Sequence, residues 1–239
     1  MLKKSNKLNI DNTRTMSNPT CHKCNSRNYC TIGKLNKQVE NCPMKVSPEI
    51  EEQAMELYKT NEFIKNSTNV ASIVEAKGYI HWPRLKDTIE YAKGMGFKKL
   101  GIAFCIGLQK EAEKTIEILE KYGFQVCSVC CKTGSIKKVD VGVPEEFTMY
   151  SKTGYPIGFV SCNPVAQALI LNKAETEMNI IVGLCVGHDI TFTNLSKAPV
   201  TTLIAKDRSN PHNSAAVLFT RYGESFFFKD LKDSKKEIN

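Results

Sequence analysis

An α/β fold, with a parallel sheet flanked by helices, is predicted by three features of this 239-residue chain. Four apolar runs of strand length alternate with stretches whose apolar residues return every three or four positions, the pattern of helices laid on a sheet. With 41% hydrophobic residues the chain carries enough apolar surface for one core. Ahead of that core lies a segment with four cysteines and little else to bury, so something other than packing must hold it.

The elements follow in order. Residues 1–20 are rich in Asn, Ser, Thr and Lys and lack periodicity, which predicts a disordered tail. Residues 21–46 form the small N-terminal cysteine-rich metal-binding segment, and residues 47–228 the α/β domain. Ser47-Pro48-Glu49 opens a helix: Ser suits the N-cap, Pro the first turn, and glutamate the positive end of the dipole. Helical periodicity continues with interruptions to Lys77, and Pro83 opens another helix that reaches Tyr91 and Ala92. Strands are predicted from Lys99 to Ile106, Phe124 to Cys130, Asn179 to Val186 and Val200 to Ala205. Helices are predicted from Gln109 to Tyr122, Pro164 to Ala174 and Pro211 to Thr220. Gly107 follows the first strand without a GxGxxG turn, so a dinucleotide fold is not supported. Thr133 to Tyr155 holds too many Gly, Pro and Lys for a helix and reads as a long loop. Residues 229–239 read as a loose C-terminal tail.

Composition narrows the function classes. The longest apolar run, Asn179 to Gly187, is about half of the 18 or more residues that a membrane span needs. Met1 to Thr20 has lysines with no apolar stretch after them, unlike a secretory signal. Both point to a cytoplasmic protein without a membrane partner. The net charge of +8 is spread rather than gathered. Lys3, Lys4, Lys7 and Arg14 against Asp11 give the tail +3, and residues 229–239 give +1, from four lysines against Asp230, Asp233 and Glu237. No basic run is interleaved with aromatics, which argues against nucleic acid.

Ten cysteines in a chain read as cytoplasmic argue for reduced thiols, either buried or bound to metal. Cys21, Cys24, Cys30 and Cys42 fall within 22 residues. A CxxC turn lets two thiolates reach one metal centre, and two later cysteines complete a tetrahedron or the corners of a cluster. Burial as core residues does not fit neighbours such as His22, Lys23, Asn25, Ser26 and Arg27. Zinc sites commonly show two CxxC knuckles and only one is present, while Cys42-Pro43 echoes the Cys-Pro of ferredoxin-type loops. The expectation is an iron–sulfur cluster, of the 4Fe–4S kind, with zinc as the alternative.

A second set falls at predicted strand ends. Cys105 lies toward the end of the first strand, Cys130 and Cys131 end the second, and Cys185 lies near the end of the third. A parallel sheet gathers its carboxyl ends along one edge, where such folds place their sites. Cys162 precedes Asn163-Pro164, a helix start whose positive end favours thiolate. His188 and Asp189 follow Cys185, Asp207 ends the fourth strand, and His212 falls in the first turn of the last predicted helix. These residues are candidates for a second metal, cofactor or thiolate site. Adjacent Cys130 and Cys131 point to opposite faces within a strand, so only one of them is an easy ligand. Cys127, inside the second strand, reads as a small packing residue.

The run Gly183-Leu184-Cys185-Val186-Gly187-His188-Asp189 is followed by Ala198-Pro199-Val200-Thr201-Thr202, Lys206-Asp207-Arg208 and His212-Asn213. Together with the N-terminal cysteines, these motifs resemble an uncharacterised family of anaerobic bacteria and archaea known only as predicted metal-binding proteins. The resemblance covers residues 21–222 and implies metal binding, without a reaction. Two function classes remain. One is a redox protein or metalloenzyme whose N-terminal cluster passes electrons to a site on the sheet edge, with a redox partner protein or a small-molecule ligand as its partner. The other is a zinc-stabilised, non-catalytic binding protein.

Overall fold

The computed structural model describes residues 18–24, 30–34, 39 and 42–234. Most of the expected N-terminal tail, and residues 235–239 of the expected C-terminal one, lie outside the described residues. The chain divides into two compact units, residues 1–69 and 70–239.

In the first unit, Cys21–Lys23 forms one 3-10 turn. Helix α1 (Pro43–Val46) starts directly after Cys42, with Pro at its first position where no N–H is needed. Helix α2 (Glu49–Thr60) carries Glu49, Glu51 and Glu52 in its first turn, against the positive end of the dipole. Asn61 separates it from α3 (Glu62–Gly78), whose residues from Val70 on belong to the second unit. The extended backbone of Asn61 ends α2, and its side-chain Oδ1 accepts the Ile64 N–H at 3.0 Å to start the next helix.

The second unit holds the sheet. Helix α4 (Arg84–Gly94) leads into β1 (Lys99–Phe104), α5 (Gln109–Lys121), β2 (Gln125–Cys130), α6 (Pro164–Lys173), β3 (Met178–Val182), α7 (His188–Leu195) and β4 (Val200–Ile204). Helix α8 (Arg221–Ser234) closes the described chain. The four strands are all parallel, in the order β2-β1-β3-β4. This is the predicted α/β sheet. Every residue of the inner strand β3 is buried, as expected of a parallel strand covered on both faces. Helix α5 turns Ala112, Thr115 and Leu119 inward, at the three-to-four spacing of an amphipathic helix. Leu100, Ile102, Leu108, Leu171, Ile180 and Phe192 are wholly or almost wholly buried in the core.

Three local predictions need correction. Strand β3 ends at Val182, not Val186, because Gly183 adopts φ +71° and a side chain there would collide with Leu108. The chain then turns into α7, for which no helix was predicted. The predicted helix from Pro211 to Thr220 is replaced by turns and one 3-10 segment, Ala216–Phe219. Asp207 Oδ1 accepts the Ser209 and Asn210 N–H groups, each at 2.9 Å, so backbone donors are satisfied locally instead of along a helix. His212 sits at φ +61°, outside helical geometry. The stretch from Thr133 to Tyr155 is the long loop expected, holding two short 3-10 turns, with Lys137 and Tyr150 in isolated antiparallel bridges to Val160 and Pro156.

The strand order places a topological switch between β1 and β3. From β1 the chain moves outward to β2, and after β2 it crosses to the other side to form β3. The connections leaving β1 and β3 therefore diverge and open a crevice at their carboxyl ends, the position where sheets of this kind bind ligands.

Candidate functional site

The crevice is lined with sulfur. Phe104 stands opposite both Cys130 and Val182 in the sheet register, so Cys105, one residue on, faces the first residues beyond β2 and β3. The Cys131 N–H donates to the Phe104 carbonyl at 2.8 Å, and the Cys105 N–H donates to the Val182 carbonyl at 3.1 Å. Cys105 and Cys131 thus continue the ladder side by side, and their thiols hydrogen-bond to one another. Cys105 also hydrogen-bonds to Cys185, which the Gly183 turn brings back over the crevice.

Cys162 enters from the long loop. The Asn163 N–H donates to the Cys131 carbonyl at 2.7 Å, which sets the two cysteines' backbones next to each other. Asn163 Oδ1 caps α6 by accepting the Ala166 N–H at 2.9 Å, and its Nδ2 donates to the Thr133 carbonyl at 3.1 Å. Cys162 then hydrogen-bonds to Cys131 on one side and His188 on the other. The side chains form a file: Cys185, Cys105, Cys131, Cys162, His188. Its inner members, Cys105 and Cys131, are 8% and 1% exposed, and its outer members are half-buried.

Positive charge and N–H groups surround the file. Lys206 Nζ donates to Cys105 Sγ at 3.3 Å, and Arg208 Nη2 donates to Cys185 Sγ at 2.9 Å. The Ile106 N–H donates to Cys131 Sγ at 3.4 Å. Hydrogen bonds from Cys131, then Cys185, hold the Cys105 thiol far below its usual range. The bond from Cys131, followed by that from His188 and the nearby Lys132 charge, brings Cys162 down to about 4. Cys131, facing Cys105 and Cys162 and buried, is pushed up. Cys185 is pushed up by Cys105 and by burial, partly offset by Arg208. His188 is raised chiefly by the hydrogen bond it shares with the Cys162 sulfur. The shifts therefore alternate in direction along the file, up at Cys185 and Cys131 and down at Cys105 and Cys162.

Gln167 on α6 holds the frame. It is fully buried, and its Nε2 donates to the Phe104 carbonyl at 3.2 Å and the Val129 carbonyl at 2.7 Å, pinning the ends of β1 and β2. Sequence reasoning gave no role to Gln167, Lys206, Arg208 or Lys132. The pair Lys206 and Arg208 just past β4 was the available signal.

The other predicted residues fall elsewhere. Cys130 packs against the core, and its sulfur accepts the Lys132 N–H at 3.5 Å, so Cys131 is the member of the pair that joins the file. Cys127 is a packing residue. Asp189 Oδ1 accepts the Gly187 and Ile190 N–H groups at 3.0 and 2.8 Å and helps raise His188 from the rim. His212 Nδ1 accepts the Asp207 N–H at 3.2 Å, closing its own loop rather than joining the thiols.

In the first unit, Cys21, Cys24, Cys30 and Cys42 line a single cavity of about 170 Å³, completed by Thr20, Val39 and Pro43. Among the described residues, no group of three or more His, Cys, Asp and Glu side chains is gathered as a single metal ion requires. A larger cavity of about 510 Å³ lies at the amino ends of β3 and β4, walled by Val74, Trp82, Tyr91, Met178 and Val200. It holds none of the thiols, and the chemistry is concentrated at the opposite ends of the strands. No helix among the described residues is long and apolar enough to cross a membrane.

A family described as "Protein of unknown function (DUF1847)" matches residues 42–203. That span contains Cys42 and the whole file from Cys105 to His188, and excludes Cys21, Cys24, Cys30, Lys206 and Arg208. The uncharacterized protein MJ0455 of Methanocaldococcus jannaschii is 40% identical over 215 residues, covering 90% of this chain and 99% of its own length. No solved structure matches the chain.

Proposed function

The chain belongs to the DUF1847 family, and we propose that it is a metal-binding redox protein, with an iron–sulfur cluster on its N-terminal cysteines and a thiolate redox site at the sheet edge. The observation that carries the reading is the single cavity of about 170 Å³ walled by Cys21, Cys24, Cys30 and Cys42. Four thiolates on one zinc ion, with bonds of about 2.3 Å, stand about 3.8 Å apart. A cluster spreads the same four ligands over separate irons, so its sulfurs enclose a larger volume.

When bound, the cluster would supply one-electron transfer, with a redox partner protein or a small-molecule ligand taking or giving the electron. The chain's own contribution is to present four thiols in a segment whose cysteines range from half-buried to exposed. A segment with so little core depends on its metal for order.

Anaerobic purification with iron, zinc and acid-labile sulfide analysis tests the reading. A brown protein containing iron and sulfide is expected. Replacing any one of Cys21, Cys24, Cys30 or Cys42 by Ser should lower the metal content and leave the far-UV circular dichroism of the sheet unit in place. Colourless protein with stoichiometric zinc would replace the cluster by a structural zinc site. Unchanged metal in all four variants would remove these cysteines as ligands.

A further inference from the structure

We propose that the sheet-edge file is a thiol–disulfide relay, in which Cys162 attacks small disulfides, Cys131 resolves the product, and Cys105 and Cys185 receive the resulting disulfide. The inference rests on reading the sheet edge as a thiolate redox site, and it names that site's substrate class and its order of events.

Geometry assigns the roles. The file has two half-buried ends and a buried middle, so an outside disulfide meets Cys162 or Cys185 first. Cys162 stands just before the N-terminus of the ten-residue helix α6, beside His188 and Lys132. That setting stabilises a thiolate, which is the attacking form. Cys131, at 1% exposure, is closed to outside reagents yet touches both Cys162 and Cys105. A buried thiol in that position serves to resolve a mixed disulfide. Cys105 lies beside Cys131 in continued sheet register, where neighbouring strands stand about 4.8 Å apart, within the Cα separation that a disulfide bridges.

The chemistry balances at each step. The Cys162 thiolate attacks one sulfur of a disulfide R–S–S–R′. A bond forms between Cys162 and R–S, the R–S–S–R′ bond breaks, and R′–S⁻ leaves with the His188 proton. Cys131 then attacks the Cys162 sulfur, forming the Cys131–Cys162 disulfide, and R–S⁻ leaves with the proton Cys131 loses. Two cysteines have been oxidised and one substrate disulfide reduced to two thiols. The Cys105 thiolate next attacks Cys131 and releases Cys162 as thiolate. Cys185 gives up its proton and attacks Cys105, and Cys131 leaves and takes that proton. The last two exchanges move the disulfide to Cys105–Cys185 with no further change in oxidation state, and they restore the entry pair. A second turnover fills it again, so the relay holds two disulfides when fully oxidised.

The test uses the full reduced chain under anaerobic conditions, with 4,4′-dithiodipyridine as the disulfide, at about pH 6, where ordinary thiols are almost fully protonated and slow. Released thiopyridone is followed, the remaining thiols are blocked with N-ethylmaleimide, and disulfides are mapped by mass spectrometry. Wild type should show a fast phase that consumes two equivalents of probe and yields Cys131–Cys162 and Cys105–Cys185 linkages. Cys131→Ser should stop after one release, with the probe's thiopyridyl group left on Cys162. Cys162→Ser should slow the fast phase by about 100-fold, the difference between a thiolate and a largely protonated thiol at this pH, while Cys127→Ser should match wild type. A fast phase that survives in Cys162→Ser, or a first disulfide outside the four, would overturn the relay. Iodoacetamide labelling of wild type supplies a check free of any variant's folding: Cys162 must be labelled before Cys127 and Cys130, and equal rates would also overturn it. Iron is measured on the same samples. Exchange without iron removes the cluster reading and leaves the relay standing, and iron without exchange does the reverse.

Discussion

His188 sets the acid limit of the sheet-edge chemistry. It donates to the Cys162 sulfur, which raises its own proton affinity and lowers that of the thiol. The two shifts have opposite linkage signs. The lowered thiol stabilises the fold above its free value, and that contribution is lost as pH falls through about 4. The raised imidazole stabilises the fold below its ordinary value of about 6.5, and its contribution is lost as pH rises through the higher folded value. The pair is therefore complete between about 4 and the raised His188 value. His188→Gln should move the lower inflection of Cys162 alkylation upward, and the stability difference from wild type should peak inside that window. Identical alkylation profiles for the two proteins would show that Lys132 and the helix end suffice without the imidazole. At this scale the sequence was informative about position: it put Cys105 toward a strand end and left Cys130 and Cys131 as alternatives, which only the ladder beyond Phe104 separates, while Cys185 owes its place to the Gly183 turn. Gln167 could not be found that way, because a buried amide on a helix reveals its two carbonyl partners only once the strands are placed.

Helix α6 has a positioning role beyond its own stability. Asn163 caps it and at the same time ties its start to Thr133, so Cys131 and Cys162 are held from both sides. Asn163→Ala should cost about 1 kcal/mol, the usual loss for an N-cap, read as a lower denaturant midpoint. The same variant should slow resolution by Cys131, seen as longer-lived mixed disulfide on Cys162. Elements with strong periodicity were legible, which is why β1, β2, β4, α5 and α6 are close to their predicted bounds. Helix α7 was missed because its eight residues, HDITFTNL, include two threonines and an asparagine and give no clear helical pattern. Its start is fixed instead by Gly187 at φ +89° and by the Asp189 carboxylate on two backbone donors. Strand β4 needs help of a different kind as the sheet's edge. Arg84 supplies it, donating from Nε to the Thr202 carbonyl at 2.7 Å and from Nη2 to Thr201 Oγ1 at 3.1 Å, which occupies groups that another strand would otherwise seek.

As a whole, the chain keeps its two cysteine groups in separate compact units, four thiols in residues 1–69 and six in residues 70–239. The segmentation of the sequence by composition sets a cysteine-rich part before the α/β part, and the sulfur contacts within the second unit depend on a strand order that composition does not encode. That order, β2-β1-β3-β4, also governs how the molecule comes to exist. Every contact in the file joins segments distant in the chain, and none of them forms until parallel strands with long crossovers have paired, a slow route to the native state. During that interval ten free thiols share an unfolded chain, and any oxidant present will couple them at random. Refolding yield from denaturant should therefore fall several-fold when glutathione disulfide is present from the start, and should recover when the oxidant is added only after circular dichroism shows the sheet complete. Oxidation makes functional bonds in the finished protein and traps in the nascent one, so the newly made chain needs a reducing environment until its last strand is in place.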